Sequence, residues 1–264
     1  MSLPVLDQPF GLAGERKAVS ILCLAFYTAL YALFSLLFYL APPDQPEVRG
    51  WMPAFAALAL TYGTAFFALS ADWFWARWFA IGLGYSGLTV AMWGMVTQKA
   101  IDPVLLFYGV THGLVALCLQ GEKLASHFDG QESWRKWLRV DDQGVEKVRH
   151  TVTRAAASLP TLILIALAPK EGSQALLVLA GVGLFAVLRN RTAGVLLLLG
   201  TGLALPLTLL HGHVAPVMTS HSLLDTLLQP VALHQLGLVA SAFLLSASLP
   251  FVRPIARFLS GRAA

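Results

Sequence analysis

Four of the seven histidines in this chain fall within one short stretch: His211, His213, His221 and His234. Asp225, four residues after His221, would share its face of a helix, and Met218 adds a thioether among them. Imidazole, carboxylate and thioether together suit copper or zinc, and two facing imidazoles suit a haem iron. The expectation is a metal centre built from His211, His213, His221, Asp225 and His234. It requires neutral rings to converge from different elements, each fixed by a further partner. The spacing matches no standard ligand motif such as HExxH or paired CxxC. The structural alternative is a set of polar rings resting at headgroup level.

A second candidate lies deep in apolar sequence. His112 sits in Tyr108-Gly109-Val110-Thr111-His112-Gly113, and an earlier apolar run contains Gly84-Tyr85-Ser86-Gly87. An ionisable ring at mid-membrane depth is costly, so His112 should face the bundle interior and have a partner. Counting about 1.5 Å of rise per residue places Ser86 and His112 at similar depth on consecutive antiparallel helices. A serine beside a histidine is the minimum for nucleophilic catalysis. The Gly-x-Ser-Gly string resembles that of rhomboid intramembrane proteases, and the resemblance implies a serine hydrolase using Ser86 and His112. It covers four residues. In rhomboids the histidine comes two spans after the serine and an earlier span carries His-x-x-x-Asn; here the histidine is one span away and that motif is missing. The same run also reads as packing. Ala80, Gly84, Gly87, Ala91 and Gly94 form a small-residue stripe that lets another helix approach closely, with Ser86 and His112 as an interhelical hydrogen bond.

The elements that position these groups follow from composition. Of the 264 residues, 57% are hydrophobic and 12% charged, about half the charge of a soluble domain. Hydrocarbon removes the need for a charged coat. Eight apolar runs reach or approach the roughly 20 residues needed to cross it: 18–40, 51–70, 74–97, 102–119, 152–168, 173–188, 192–211 and 231–250. The expected fold is an all-α polytopic transmembrane bundle forming one membrane domain. The first run is too long for a signal h-region and lacks a small-residue cleavage site, so it reads as a retained helix. Pro160 and Pro206 are tolerable within spans if neighbours satisfy the freed carbonyls.

Charge sets the orientation. With the N-terminus inside, only Arg49, Lys99 and Lys170 of the 18 basic residues lie outside, so both termini are expected on the cytoplasmic side. The formal charge of +4 is placed for topology and not for nucleic acid. Trp73, Trp75 and Trp78 are expected at the inner interface and Trp51 at the outer one. Cys23 and Cys118 fall on the cytoplasmic side, where no disulfide is expected.

Residues 120–151 form the long cytoplasmic connector. Trp134, Trp137 and Leu138 recur at helical spacing with Arg135, Lys136 and Arg139 between them, the pattern of a short interfacial amphipathic helix. In the outer loop, 211–230, residues 222–228 read as two amphipathic turns. No Asp, Glu or Lys lies deep in any span, and no nucleotide-binding or metalloprotease motif occurs. These readings favour a structural or binding subunit of a larger assembly in the cytoplasmic membrane, with the lipid bilayer and other membrane subunits as partners. The alternatives are a metal or haem redox component at the outer face, a small-molecule transporter, and the serine hydrolase.

Overall fold

The computed structural model describes residues 13–42, 44–131, 134, 141–169, 174–189, 191–211 and 230–251. Among the described residues the regular structure is helical, without strands. The helices are α1 (Ala13–Tyr39), α2 (Pro46–Arg49), α3 (Met52–Ser70), α4 (Ala76–Gln98), α5 (Pro103–Cys118), α6 (Glu122–Asp129), α7 (Asp142–Ala166), α8 (Gln174–Leu188), α9 (Thr192–His211) and α10 (Pro230–Ala247).

Local chemistry sets several of these boundaries. The Asp102 carboxylate accepts from the backbone N–H groups of Val104 and Leu105 at 2.7 and 3.0 Å. Pro103, which has no N–H to satisfy, takes the first helical position. Asp141 caps α7 by accepting from Gly144 N at 2.7 Å. The helix therefore starts ten residues before the apolar stretch at 152. At its far end α4 stops on Lys99, which adopts a left-handed conformation with φ 51°.

α4 and α7 pack on each other at the centre. α5 and α3 also pack on α4, and α10 and α8 on α7. Glycines allow the close approaches, Gly82 on the side of α4 that faces α7 and the stripe members Gly84 and Gly87 on the side that faces α5. A Cβ on Gly82 would collide with the Thr153 carbonyl and lie 2.6 Å from Ala156 Cβ on α7. One on Gly84 would come within 2.8 Å of the His112 carbonyl on α5. Gly194 plays the same part between α8 and α9, 2.6 Å from Val187 N.

Most packed pairs of long helices run antiparallel, whereas α4 and α7 run parallel, with Gly82 against Thr153 and Ser86 and Thr89 beside Ala157 and Thr161. The start of α1 meets the end of α3 through Lys17 and Asp72. Gly94 near the end of α4 meets Leu105 near the start of α5. Thr151 and Arg154 on α7 meet Ala247 and Ser246 at the end of α10. Gly202 meets Leu244, and Gly237 meets Leu209, so α9 and α10 are also opposed.

Among the described residues five helical stretches are long and apolar enough to cross a membrane: α1, α3, α4, residues 192–210 of α9, and residues 233–251 beginning within α10. A sixth counts if α5 and α6, bent by 70°, are taken together. α8 has only 15 residues, and the apolar part of α7 begins at Val152. The outward faces match this reading: Leu22, Leu60, Phe67, Phe185 and Leu203 are all more than half exposed. Water would strongly disfavour so much continuous apolar surface. These features are those of an integral membrane protein in contact with lipid.

Two tryptophans depart from the interfacial expectation. Trp51 is fully buried in the core, and Trp78 is buried with its indole N–H donating to Asp129 Oδ1 at 2.8 Å. Trp73 remains exposed. A ring at a helix end can turn inward when a neighbouring helix offers a cavity or an acceptor. Of the expected amphipathic helix in the connector, Trp134 packs on Phe74 with ring centroids 5.2 Å apart; Trp137 and Leu138 lie outside the described residues. The described part of the connector before it holds α6, whose Leu124 and Phe128 are buried four residues apart.

Candidate functional site

His112 is buried on the inward face of α5, in line with Leu105, Gly109 and Ala116. Its Nδ1 lies 2.8 Å from the Tyr108 carbonyl oxygen. A carbonyl only accepts, so Nδ1 carries the proton and donates. Nε2 is then an acceptor, and the Tyr62 hydroxyl on α3 donates to it at 2.8 Å. The ring sits between Tyr27 of α1 and Tyr108, each centroid 4.1 Å away. Tyr62 meets it edge-on at 5.7 Å.

The polar network continues outward from the imidazole. The Tyr31 and Tyr108 hydroxyls are 2.9 Å apart, and the Tyr27 hydroxyl bonds the Thr111 hydroxyl. Three tyrosines thus contact one histidine at the junction of α1, α3 and α5, and Tyr31 joins them through Tyr27, Tyr62 and Tyr108. On α4, Gly87 provides the space, because a Cβ there would strike the imidazole ring. Each polar group of this network gains a partner, as hydrocarbon requires, whereas the buried Trp51 indole N–H has none. The arrangement can hold a neutral imidazole in one tautomer and lock three helices in register. An interhelical hydrogen bond of this kind contributes on average about 0.6 kcal/mol in a membrane, so ring packing provides most of the cohesion.

Ser86 is buried but turned elsewhere. It borders a small crevice with Ala157 and Thr161 of α7 and Ala240 of α10. Both nitrogens of His112 are already engaged, so the hydrogen bond expected between Ser86 and His112 is not formed. The partner His112 was expected to need is Tyr62. Its residue type in mid-span was the available signal, as were the helical spacings of Tyr27 to Tyr31 and Tyr108 to His112.

Of the clustered histidines, His211 ends α9 and His234 lies in the first turns of α10. The two helices are packed and antiparallel, so both residues belong to the same end of the bundle. His213, His221 and Asp225 lie outside the described residues, as does Met218. Among the described residues no group of three or more His, Cys, Asp or Glu is disposed to hold a metal ion.

The opposite end is rich in arginine. α5 ends there with carbonyls that have no helical partner. Arg16 of α1 donates from Nε to the Cys118 carbonyl at 3.0 Å and from Nη2 to Leu117 at 3.3 Å and to Gln120. Arg77 of α4 donates from Nε to the Leu119 carbonyl at 2.8 Å. Both guanidinium groups also face the negative end of the helix dipole. Arg154 serves α10 in the same way, donating to Ser246 O at 2.7 Å. Asp129 at the end of α6 lies 3.4 Å from Arg77 and 3.6 Å from Arg149.

A cleft of about 540 Å³ opens at this end between α4, α6 and α7, bordered by Arg77, Tyr85, Gln120, Glu122, Arg149 and His150 among others. Partial burial, with Arg149 and Arg154 nearby, pushes the His150 pKa below its ordinary value. Its imidazole is therefore neutral at pH 7, and the positive charge of the cleft comes from the guanidinium groups.

Asp72, in the turn after α3, ties this end together. It tolerates a left-handed φ of 55° and accepts from Lys17 Nζ at 2.6 Å and His127 Nε2 at 3.0 Å. Partial burial raises its pKa, but hydrogen bonds from Lys17 and His127 outweigh that and hold it below the ordinary carboxylate value. A depressed folded pKa stabilises above the unfolded value of about 3.9 and is lost as pH falls through the folded one. The group is more than a third exposed, so screening limits the effect to below about 1 kcal/mol. Asp72→Asn should lower the melting temperature slightly at pH 7, and the difference from wild type should vanish near pH 3. A gap that persists at pH 3 would assign the effect to something other than the carboxylate charge.

The chain matches no family model, no curated protein and no solved structure.

Proposed function

We propose that this chain is a multi-pass protein of the cytoplasmic membrane that crosses it eight times with both termini inside, and that it is a structural or binding subunit of a larger membrane assembly. The observation that carries the reading is the division of charge between the two ends of the bundle. Arg16, Lys17, Arg77, Arg149 and Arg154 gather at the end where α1 begins and α5 and α10 finish. Arg49 reaches back to the Tyr39 carbonyl at the opposite end, where Lys99 ends α4. Lysine and arginine in short loops stay on the cytoplasmic side. α7 and α8 complete the eight crossings, each alternating in direction with the long helices before and after it in the chain. The 15 residues of α8 reach about 22 Å at 1.5 Å each, a shortfall that local bilayer thinning accommodates. The neutral, internally satisfied tyrosine–histidine core supports a fixed scaffold.

Single cysteines test the orientation. With Cys23 and Cys118 replaced by alanine, a membrane-impermeant maleimide on intact cells should label Lys99→Cys and reach Lys123→Cys only after lysis. Labelling of Lys123→Cys from outside would reverse the map. In mild detergent the protein should co-migrate with other polypeptides; a lone monomer would remove the assembly reading.

A further inference from the structure

We propose that the crevice where α4, α7 and α10 meet is a binding site for one water molecule, which bridges the hydroxyls of Ser86 and Thr161. Among the described residues eight serine and threonine side chains are buried. Six of them, Ser20, Thr151, Ser158, Thr201, Ser241 and Ser248, donate to a backbone carbonyl. The two that make no hydrogen bond among the described residues are Ser86 and Thr161, 2% and 5% exposed. Both border this one crevice. They stand on different helices, Ser86 midway along α4 and Thr161 in the apolar part of α7. A buried hydroxyl without a partner is costly, and hydrocarbon offers it none. Two such groups at one place call for a ligand that both donates and accepts.

The size and chemistry of the crevice select that ligand. It measures about 10 Å³, close to the least space that admits a water and far too little for an acyl chain. Ala157, Ala240 and Phe243 give it apolar walls, and none of its residues is charged. An ion there would lack a counter-charge, whereas a water needs only hydrogen-bond partners. The third hydroxyl on the wall, Thr89, already donates to the Tyr85 carbonyl at 2.7 Å. Pro160, just before Thr161, adds a further reason. It has no N–H, so the Ala156 carbonyl lacks its donor one turn on. In membranes such freed carbonyls are met by serine or threonine side chains or by ordered water. Ala156 adjoins Ala157 on the crevice wall, so one water can serve this carbonyl as well as the two hydroxyls. The inference holds for either orientation of the chain and does not depend on a partner subunit.

The test is a structure of the full chain in lipid nanodiscs at a resolution that shows ordered water, with melting midpoints for Ser86→Ala, Thr161→Val and the double variant. Wild type should show one isolated peak about 3 Å from both hydroxyl oxygens. The two hydroxyls do not bond each other, so a shared water is what would couple them. Each single change should lower the midpoint by a few degrees. The double change should lower it by clearly less than the sum, because no hydroxyl is then left facing a lost partner. A crevice without a peak, or strictly additive midpoints, would overturn the proposal. Density elongated into a chain would assign a lipid and overturn it too. Replacing sodium and potassium in the buffer by choline should leave the wild-type midpoint unchanged; a fall would assign a metal cation in place of water. Should the double variant fail to fold, the peak should still weaken in each single variant, and its survival at full height in both would count against the bridge.

Discussion

Replacing Gly82 by alanine should lower the melting temperature of the detergent-solubilised protein by several degrees, although the change adds one methyl group. That methyl would meet the Thr153 carbonyl, Ala156 Cβ at 2.6 Å and Ala157 N at 3.1 Å. Two of these three atoms are backbone, so no rotamer change relieves the clash and α4 must move away from α7. Overpacking of this kind costs roughly 1–3 kcal/mol, and each kcal/mol shifts the midpoint by about 2–4 °C in a chain of this size. Gly181 and Gly200 provide the control, since a Cβ at either position has nothing within 4 Å. Their alanine variants should match wild type or exceed it slightly, because alanine favours helix over glycine by about 1 kcal/mol. Equal melting of all three variants would mean that α4 and α7 do not approach as closely as described.

The second large effect is expected at His112. His112→Ala removes a ring packed against Tyr27 and Tyr108 and takes away the acceptor of the Tyr62 hydroxyl. Truncating a buried ring to alanine costs on the order of 3–5 kcal/mol, and stranding a buried hydroxyl adds about 1–3 kcal/mol unless the cavity admits water. Tyr62→Phe removes only the donor and should cost about 1 kcal/mol, near the membrane average for one such bond. The two losses should not add. In the double variant no polar group is stranded, so its stability should exceed the sum of the single effects by about 1 kcal/mol. Strict additivity, measured by the midpoints of the four proteins, would show that Tyr62 and His112 do not interact.

The sequence made the bundle readable for a definite reason. Apolar runs near twenty residues and the placement of lysine and arginine are both averages over many side chains, and they survive local exceptions. The small-residue stripe on α4 was also legible, because Gly84 and Gly87 recur at the spacing of one helix face. The partner of His112 was not. Rise per residue sets depth, but azimuth turns by about 100° at each step. Ser86 and Gly87 therefore share a level and face different neighbours: Gly87 receives the imidazole from α5, while Ser86 faces α7 and α10. Tyr62 lies on a helix that packs chiefly against α1, and only the three-dimensional arrangement shows that it reaches α5. Helix ends were misjudged where polar residues extend a helix beyond its apolar part. α7 begins at Asp142 because Asp141 caps it, a local hydrogen bond that hydropathy does not register.

The bond from Arg16 to the Cys118 carbonyl joins residues 102 positions apart. During synthesis α1 is made about a hundred residues before the end of α5, so this side chain waits for its final acceptors. When they arrive, one guanidinium closes the end of a helix made much later. Until then the last carbonyls of α5 have no helical partner. For this chain, sealing that end waits on the packing of two segments far apart in synthesis.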